Sequence, residues 1–283
     1  MTDVQQFSTR EVPWMKIGKL VTEAPTAAEA AKLGGIDFDV KPLTMSYKFG
    51  EKHHSIKTKR ALVREDTGEL LGVVSTSSYK IVQYREAFDF MDSIDSRYVA
   101  AGSLKGGKQG FMVVKAPVDL NVLGGEDPHE LYAVLRTSHD CSRALEIALM
   151  SLRGRCMNQL PMHTFAKDAK QRWSIQHVGD VQGKMAEAKD ALAQMTNYAG
   201  RFEQLVTQLA DITLTNDVAE TVIRKVIPAH IKKQDEVVTA IQHLRVAAPE
   251  VGFVGTGWGL VNAVSEYYDW HRGGGTPESR FLG

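Results

Sequence analysis

The segment from residue 102 to residue 160 constrains the fold most, because turn residues divide it into three short apolar runs. The runs cover residues 111–115, 131–136 and 145–149. They are preceded by Gly106-Gly107, by Gly124-Gly125 with Pro128, and by Ser138-His139-Asp140. Tight glycine and aspartate turns join antiparallel hairpins, whereas parallel strands need long crossover connections. The segment therefore predicts an antiparallel meander.

A hairpin signature precedes the meander. Residues 57–64 alternate apolar and basic side chains, residues 65–69 form a turn sequence with Gly68, and residues 70–74 return as a second apolar run. Alternation with period two gives a strand one apolar and one basic face. The basic face is either a solvated surface or one wall of a binding groove, and both interpretations are open at this stage.

The pattern changes to helical spacing after residue 177. Apolar residues at helical intervals predict a helix over 178–212, and caps and prolines delimit further helices ending at 227, over 234–247 and over 258–271. The sequence thus predicts an α+β protein. An N-terminal curved antiparallel β-meander with packed helices covers residues 1–177, and a mainly helical region covers residues 178–283.

Composition excludes several classes of protein. The 34 basic and 34 acidic residues balance, so a surface uniformly adapted to nucleic acid is not expected, although local segregation of charge is. Two cysteines do not make a disulfide framework and fit a reducing cytoplasm. No run approaches the roughly 20 apolar residues of a membrane span. We therefore expect a cytoplasmic protein without a membrane segment.

Motifs for metal, nucleotide or covalent chemistry are weak. The spacing of Cys141, Cys156, His139, His163 and His177 matches no compact zinc-ligand pair. No glycine cluster has the pattern of a phosphate-binding loop. A Cys156 nucleophile with a histidine base would need a third orienting group, so it is only an alternative. We expect that the protein is not an enzyme and that it has no catalytic residue, no metal site and no cofactor.

Basic residues gather on the meander and on the upstream hairpin. If the sheet curves normally, they converge into a groove that follows a sugar–phosphate backbone, with an aromatic residue as a stacking platform. The alternative is that these arginines are solvated or paired with Asp119, Asp140 and Glu146. The predicted nucleic-acid-binding residues are Lys57, Lys59, Arg60, Tyr79, Lys105, Lys108, Arg136, Arg143, Arg153 and Arg155.

Several motifs carry a resemblance to a known family. They include residues 71–83 (LGVVSTSSYKIVQ), Ser138-His139-Asp140, the Arg153/Arg155-Cys156-x-Asn158 segment, and Thr256-x-Trp258 with Asn262. This set resembles the phage/plasmid-like protein family, a domain of unknown function found on phages, plasmids and prophages. One departure is Asp140-Cys141, where the family usually has Asp-Gly, so Cys141 is not expected to be a catalytic group of the family.

The order of elements is also similar, at fold level, to phage single-strand annealing proteins of the Erf and RecT type. That similarity implies a ring or filament of identical subunits in the host-cell cytoplasm, holding single-stranded DNA in a basic groove without NTP. The sequence-based hypothesis is therefore a phage-type DNA recombination protein that promotes annealing. The alternative is a non-enzymatic phage accessory protein that binds a host or phage protein through its helical C-terminal part.

Overall fold

A computed structural model of the chain describes residues 17–24, 26–93, 97–154, 159–161, 172–192, 195–227, 233–249 and 251–273. Its strands are β1 (Lys19–Leu20), β2 (Val40–Phe49), β3 (Lys52–Arg64), β4 (Leu70–Ser75), β5 (Arg97–Leu104), β6 (Gln109–Leu120), β7 (His129–Ser138), β8 (Leu145–Arg153), β9 (Gln159–Pro161) and β10 (Arg172–Ile175). Its α-helices are α1 (Ala27–Gly34), α2 (Tyr84–Phe88), α3 (Val181–Leu192), α4 (Met195–Asp211), α5 (Asn216–Val226), α6 (Gln234–Ala247) and α7 (Gly257–Glu266).

The strands form two antiparallel sheets. The large sheet has the order β1-β5-β6-β7-β8-β10, with β9 also paired to β8, and the small sheet has the order β2-β3-β4. The consecutive strands β5 to β8 are the predicted meander, and most of the described helices follow it in the chain. The predicted α+β class is therefore confirmed.

Both faces of the large sheet are covered. On β6, Met112 and Val114 belong to the main core with α1, α2 and α4, whereas Phe111 and Val113 belong to a second cluster that includes Tyr132. Burial on both faces explains why this strand is continuously apolar instead of alternating. A third cluster joins α5, α6 and α7.

Local capping explains the helix boundaries. The hydroxyl of Thr26 accepts from the Glu29 amide at the start of α1, and Gly35 ends the helix in the left-handed region with φ 69°. Thr215 and Thr256 cap α5 and α7 in the same way. Within the described ranges, none of the helices is both long enough and apolar enough to span a membrane.

The main core contains side chains from both predicted regions. Phe202 and Val206 of α4 and Trp258 of α7 are buried together with large-sheet residues such as Leu135 and Ile147. The division between residues 177 and 178 stays a prediction.

Candidate nucleic-acid interface

Residues 45–58, here called the ribbon, form a two-stranded hairpin at the far end of the small sheet. Strand β4 pairs with β3 only from Lys59 onward, so the ribbon strands have each other as their ladder partners. Every ribbon residue is exposed except Met45 and Ile56, which are half-buried. Five residues from Met45 to Phe49 correspond to roughly 17 Å of strand. The ribbon is therefore an arm that extends into solvent.

The two faces of the ribbon differ. Cross-strand register places Met45 opposite Ile56, Tyr47 opposite His54 and Phe49 opposite Lys52 on one face. The Tyr47 and His54 rings stack with centroids 5.2 Å apart, and Phe49 is 76% exposed. Lys48 and His53 lie opposite each other on the other face. The ribbon thus combines an exposed aromatic face with three lysines and one glutamate.

An irregularity lies at the base of the ribbon. The register passes from Met45↔Ile56 to Thr44↔Arg60, so residues 57–59 of β3 have no partner in β2. Extra residues in one strand bend a hairpin and redirect its side chains. Two of the predicted site residues, Lys57 and Lys59, lie in this bulge, and both are exposed.

The turn at residues 138–143 gathers further basic residues. Burial raises the pKa of the Asp140 carboxyl, but hydrogen bonds from Ser142 and the positive charge of Lys105 outweigh burial and lower it. Burial and Asp140 raise the pKa of the Cys141 thiol, and the charge of Lys59 opposes this effect. Lys59 of the small sheet and Lys105 of the β5–β6 turn therefore both lie near the turn at residues 138–143.

Two more predicted residues, Lys108 and Arg143, lie at this turn, and Arg60 contacts Tyr79, whose hydroxyl donates to the Ser138 carbonyl of the turn. The His139 amide donates to the Lys108 carbonyl at 2.8 Å, the Arg143 amide donates to Ser138 Oγ at 3.0 Å, and Arg60 Nη2 donates to the Tyr79 carbonyl at 2.8 Å. We call this set the basic end. It consists of Lys59, Arg60, Lys105, Lys108 and Arg143.

Arg136 and Arg143 share an acidic partner. Arg136 Nε donates to Glu146 Oε2, and Arg143 Nη1 lies 3.6 Å from the same oxygen. The Arg136 side chain is largely buried, whereas Arg143 is half-buried. Of this pair, only Arg143 presents substantial surface to a ligand.

Arg153 lies away from the basic end. The register runs from Arg136↔Glu146 to His129↔Arg153, which separates these positions by about 24 Å along the hairpin. The Arg153 side chain is fully buried, and its Nε donates to Asp127 Oδ1 at 2.8 Å. This corrects the expectation that Arg153 grips a phosphate, because its cation is already inside the protein with a carboxylate. Arg155 lies outside the described residues.

Asp127 is the centre of a buried polar network. Besides Arg153, the carboxylate accepts from Trp258 Nε1 at 2.7 Å and contacts His129 Nε2 at 3.4 Å. Burial alone would raise the pKa of Asp127, but the hydrogen bond from His129 and the charge of Arg153 lower it to about 2. The network therefore holds an ionised carboxylate between β7, β8 and α7.

The same network has the contacts of a Ser-His-Asp triad but is enclosed. His129 Nδ1 lies 2.6 Å from Ser151 Oγ, and burial lowers the pKa of His129. Since the Asp127 carboxylate can only accept, a proton on His129 Nε2 and a hydroxyl donor at Ser151 satisfy the set. All three side chains are buried. The arrangement joins the large sheet to α7 through hydrogen bonds.

Tyr79 also differs from its predicted role. Its ring is buried and stacks on His177 with centroids 5.1 Å apart, and its hydroxyl donates to the Ser138 carbonyl at 3.2 Å. Burial raises the pKa of Tyr79 well above its usual range. Because the Tyr79 ring is buried, it offers no face to a base, so Tyr79 packs beneath the basic end instead of contacting a ligand.

The described residues give little support for a metal site or for a nucleophilic thiol. No group of three or more histidine, cysteine, aspartate or glutamate side chains in that part of the chain could hold a metal ion. Cys141 is exposed, but the raised pKa of its thiol disfavours the reactive thiolate. Cys156 and His163 lie outside the described residues.

Tyr47 and Phe49 are the candidate residues that the sequence-based prediction missed. A signal exists in the sequence, because Tyr47 and Phe49 alternate with lysine up to the Gly50-Glu51 turn. The prediction began the hairpin at residue 57, whereas β2 begins at Val40 and β3 at Lys52. Pro42 obscures β2, since proline is tolerated only in edge strands, and β2 is one.

One protein-family model matches the chain. It covers residues 70–280, and its description is a domain of unknown function, DUF932. The match extends from β4 beyond α7 and does not include the ribbon. No curated protein and no solved structure matches the chain.

Proposed function

The chain belongs to the DUF932 family, and we propose that it is a phage-type, non-enzymatic protein that binds single-stranded DNA and promotes annealing without NTP. One observation carries the proposal. Lys59 of the small sheet and Lys105 of the β5–β6 turn both lie near the turn at residues 138–143, and the line of exposed lysines continues onto the ribbon. Such an extended basic surface suits a polyanion.

The chemistry required is charge neutralisation. Lys57, Lys59 and Lys105 are exposed, and each ammonium can contact a backbone phosphate oxygen. Binding would release condensed counterions and reduce the repulsion between two strands held close together. No bond is made or broken, so a protein of this kind acts by local concentration of strands. Assembly into a ring or filament would extend the surface along the DNA.

A fluorescence-anisotropy titration with a labelled oligonucleotide tests the proposal. For single strands the logarithm of affinity falls with the logarithm of salt by about 0.7 per phosphate contact. The Lys59→Gln/Lys105→Gln double variant should therefore bind more weakly, with a salt slope smaller by about 1.4. With the complementary strand added and no nucleotide, this variant should also anneal the two strands more slowly than the parent protein.

The matched control is Lys32→Gln/Lys225→Gln. It removes two exposed lysines from α1 and α5 and thus makes the same change in net charge. It should leave the salt slope unchanged. Equal losses in the two double variants, or no salt-dependent binding by the parent protein, would exclude the basic end as a DNA-binding surface.

A second candidate function rests on a separate observation. Val218, Val222 and Val226 are spaced four residues apart on α5 and are all exposed, which gives the helix an apolar stripe facing solvent. Stripes of this kind occur at protein–protein interfaces. This feature favours an accessory protein that binds a host or phage protein through its helical C-terminal part. In that case the oligonucleotide titration stays flat at low salt.

A further inference from the structure

The structure shows no contribution of the aromatic face of the ribbon to the stability of the fold. Tyr47 is 54% exposed and Phe49 is 76% exposed, and neither belongs to a core cluster. We propose that these two rings stack on unpaired bases of the bound strand. The inference rests on the proposed function and specifies it, because it identifies the residues that would favour single strands over duplex.

The spacing of the rings matches separated bases. Tyr47 and Phe49 are two residues apart in one strand, so their side chains leave the same face about 6.8 Å apart. Bases in duplex DNA follow each other at about half that distance and already stack on their neighbours. A strand whose bases are pulled apart can place one base on each ring. Duplex DNA cannot do so without losing its own stacking.

Neighbouring side chains support the same arrangement. His54 already stacks against Tyr47 from the opposite strand with an interplanar angle of 19°, which holds the Tyr47 ring in place. Lys52 lies opposite Phe49 on the same face. A base on Phe49 would therefore have a cation beside it for its phosphate.

The positive charge of the ribbon favours a nucleic-acid strand over a second copy of the ribbon as the partner of the aromatic face. Lys48, Lys52 and Lys57 are opposed within the ribbon by Glu51 alone, which lies 4.0 Å from Lys48. Two ribbons packed face to face would bring like charges together, whereas a polyanion is attracted. Exposed aromatic rings flanked by lysines are the general means by which proteins hold single strands without reading sequence.

The test compares the full chain with the Tyr47→Ala/Phe49→Ala double variant, using a labelled oligothymidylate and an oligonucleotide of equal length containing abasic sites. Loss of base stacking on one ring weakens binding by about tenfold to a hundredfold. Because the variant removes two rings, we expect at least that loss for oligothymidylate, with an unchanged salt slope because no phosphate contact is removed. The variant should bind the abasic oligonucleotide as the parent does. Phe49→Trp should retain affinity, since it keeps a ring for stacking.

A matched control and distinct outcomes separate the two proposals. Val226→Ala/Val246→Ala removes exposed apolar surface from α5 and α6 and should not change binding. If the parent binds with a steep salt slope but Tyr47→Ala/Phe49→Ala binds equally well, the stacking inference fails and the proposed function stands. A change in subunit number with unchanged DNA affinity would likewise overturn it. If the parent binds no oligonucleotide, both proposals fail.

Discussion

His139 lies fully buried in the seam between the two sheets. Its ring is 4.5 Å from that of Tyr84, and within the described part of the chain neither of its nitrogens has a hydrogen-bond partner. Burial and the nearby His177 lower the pKa of His139 to about 4. The folded protein therefore keeps this ring neutral, and protonation competes with folding.

This leads to a prediction for the dependence of stability on pH. Below the unfolded-state pKa of about 6.5 the unfolded chain takes up a proton that the folded chain refuses, so stability falls as pH drops toward 4. The contribution of His139 is about 2 kcal/mol between pH 7 and pH 5. His139→Phe removes the titrating ring, so its free energy of unfolding should depend less on pH. Urea unfolding at pH 7 and pH 5 measures this. If the free energy of unfolding of His139→Phe fell between pH 7 and pH 5 by as much as that of the parent protein, His139 would not be the group responsible.

Arg153 shows why the site could be predicted only in part at the level of single residues. Its sequence neighbourhood is basic, and nothing local indicates that Asp127, 26 positions earlier, will face it. The partnership depends on the β7–β8 register and on α7 supplying Trp258. Lys59 and Lys105 are exposed, as lysine side chains usually are, and Lys108 is half-buried.

Among the elements, those delimited by strong local signals match the prediction well. The β3–β4 hairpin lies within a few residues of its predicted position, because Gly68 determines the backbone geometry of its turn. The sequence-based prediction did not identify the ribbon. Its strands bury almost no surface, so they lack the apolar alternation toward a core that makes strands recognisable.

The ribbon should be separable from the fold. Thr44 and Arg60 are cross-strand partners, so replacing residues 45–59, which are the ribbon and Lys59 of the basic end, with the tight hairpin turn Asn-Gly closes the small sheet at its base. No residue removed belongs to a core cluster. The melting temperature should fall by less than about 5 °C, while oligonucleotide affinity falls strongly. A large loss of melting temperature would mean that the ribbon stabilises the fold.

On the scale of the whole molecule, the sheet and the C-terminal helices share one core. Phe202, Val206 and Trp258 pack with side chains of the large sheet, and the buried Asp127 joins β7 to α7. Breaking a buried ion pair by removing one partner typically costs 3–5 kcal/mol. This coupling disfavours independent unfolding of the two regions predicted to meet at residues 177 and 178.

Equilibrium unfolding distinguishes one cooperative unit from two. We expect tryptophan fluorescence and far-UV circular dichroism to give coincident urea transitions, because the shared core must open in one step. The variant Asp127→Asn should shift both transitions to lower urea by the same amount. Transitions separated along the urea axis would instead support two independently folding regions.

Gly72 determines how closely the two sheets approach. A methyl group at this position would lie 2.4 Å from the His139 carbonyl oxygen and 2.9 Å from the Asp140 Cα, both main-chain atoms with no rotamer to adjust. The small sheet and the turn at residues 138–143 are therefore in direct backbone contact at this point. Any larger residue at position 72 would force the small sheet away from this turn, so the seam depends on a residue that has a single hydrogen atom in place of a side chain.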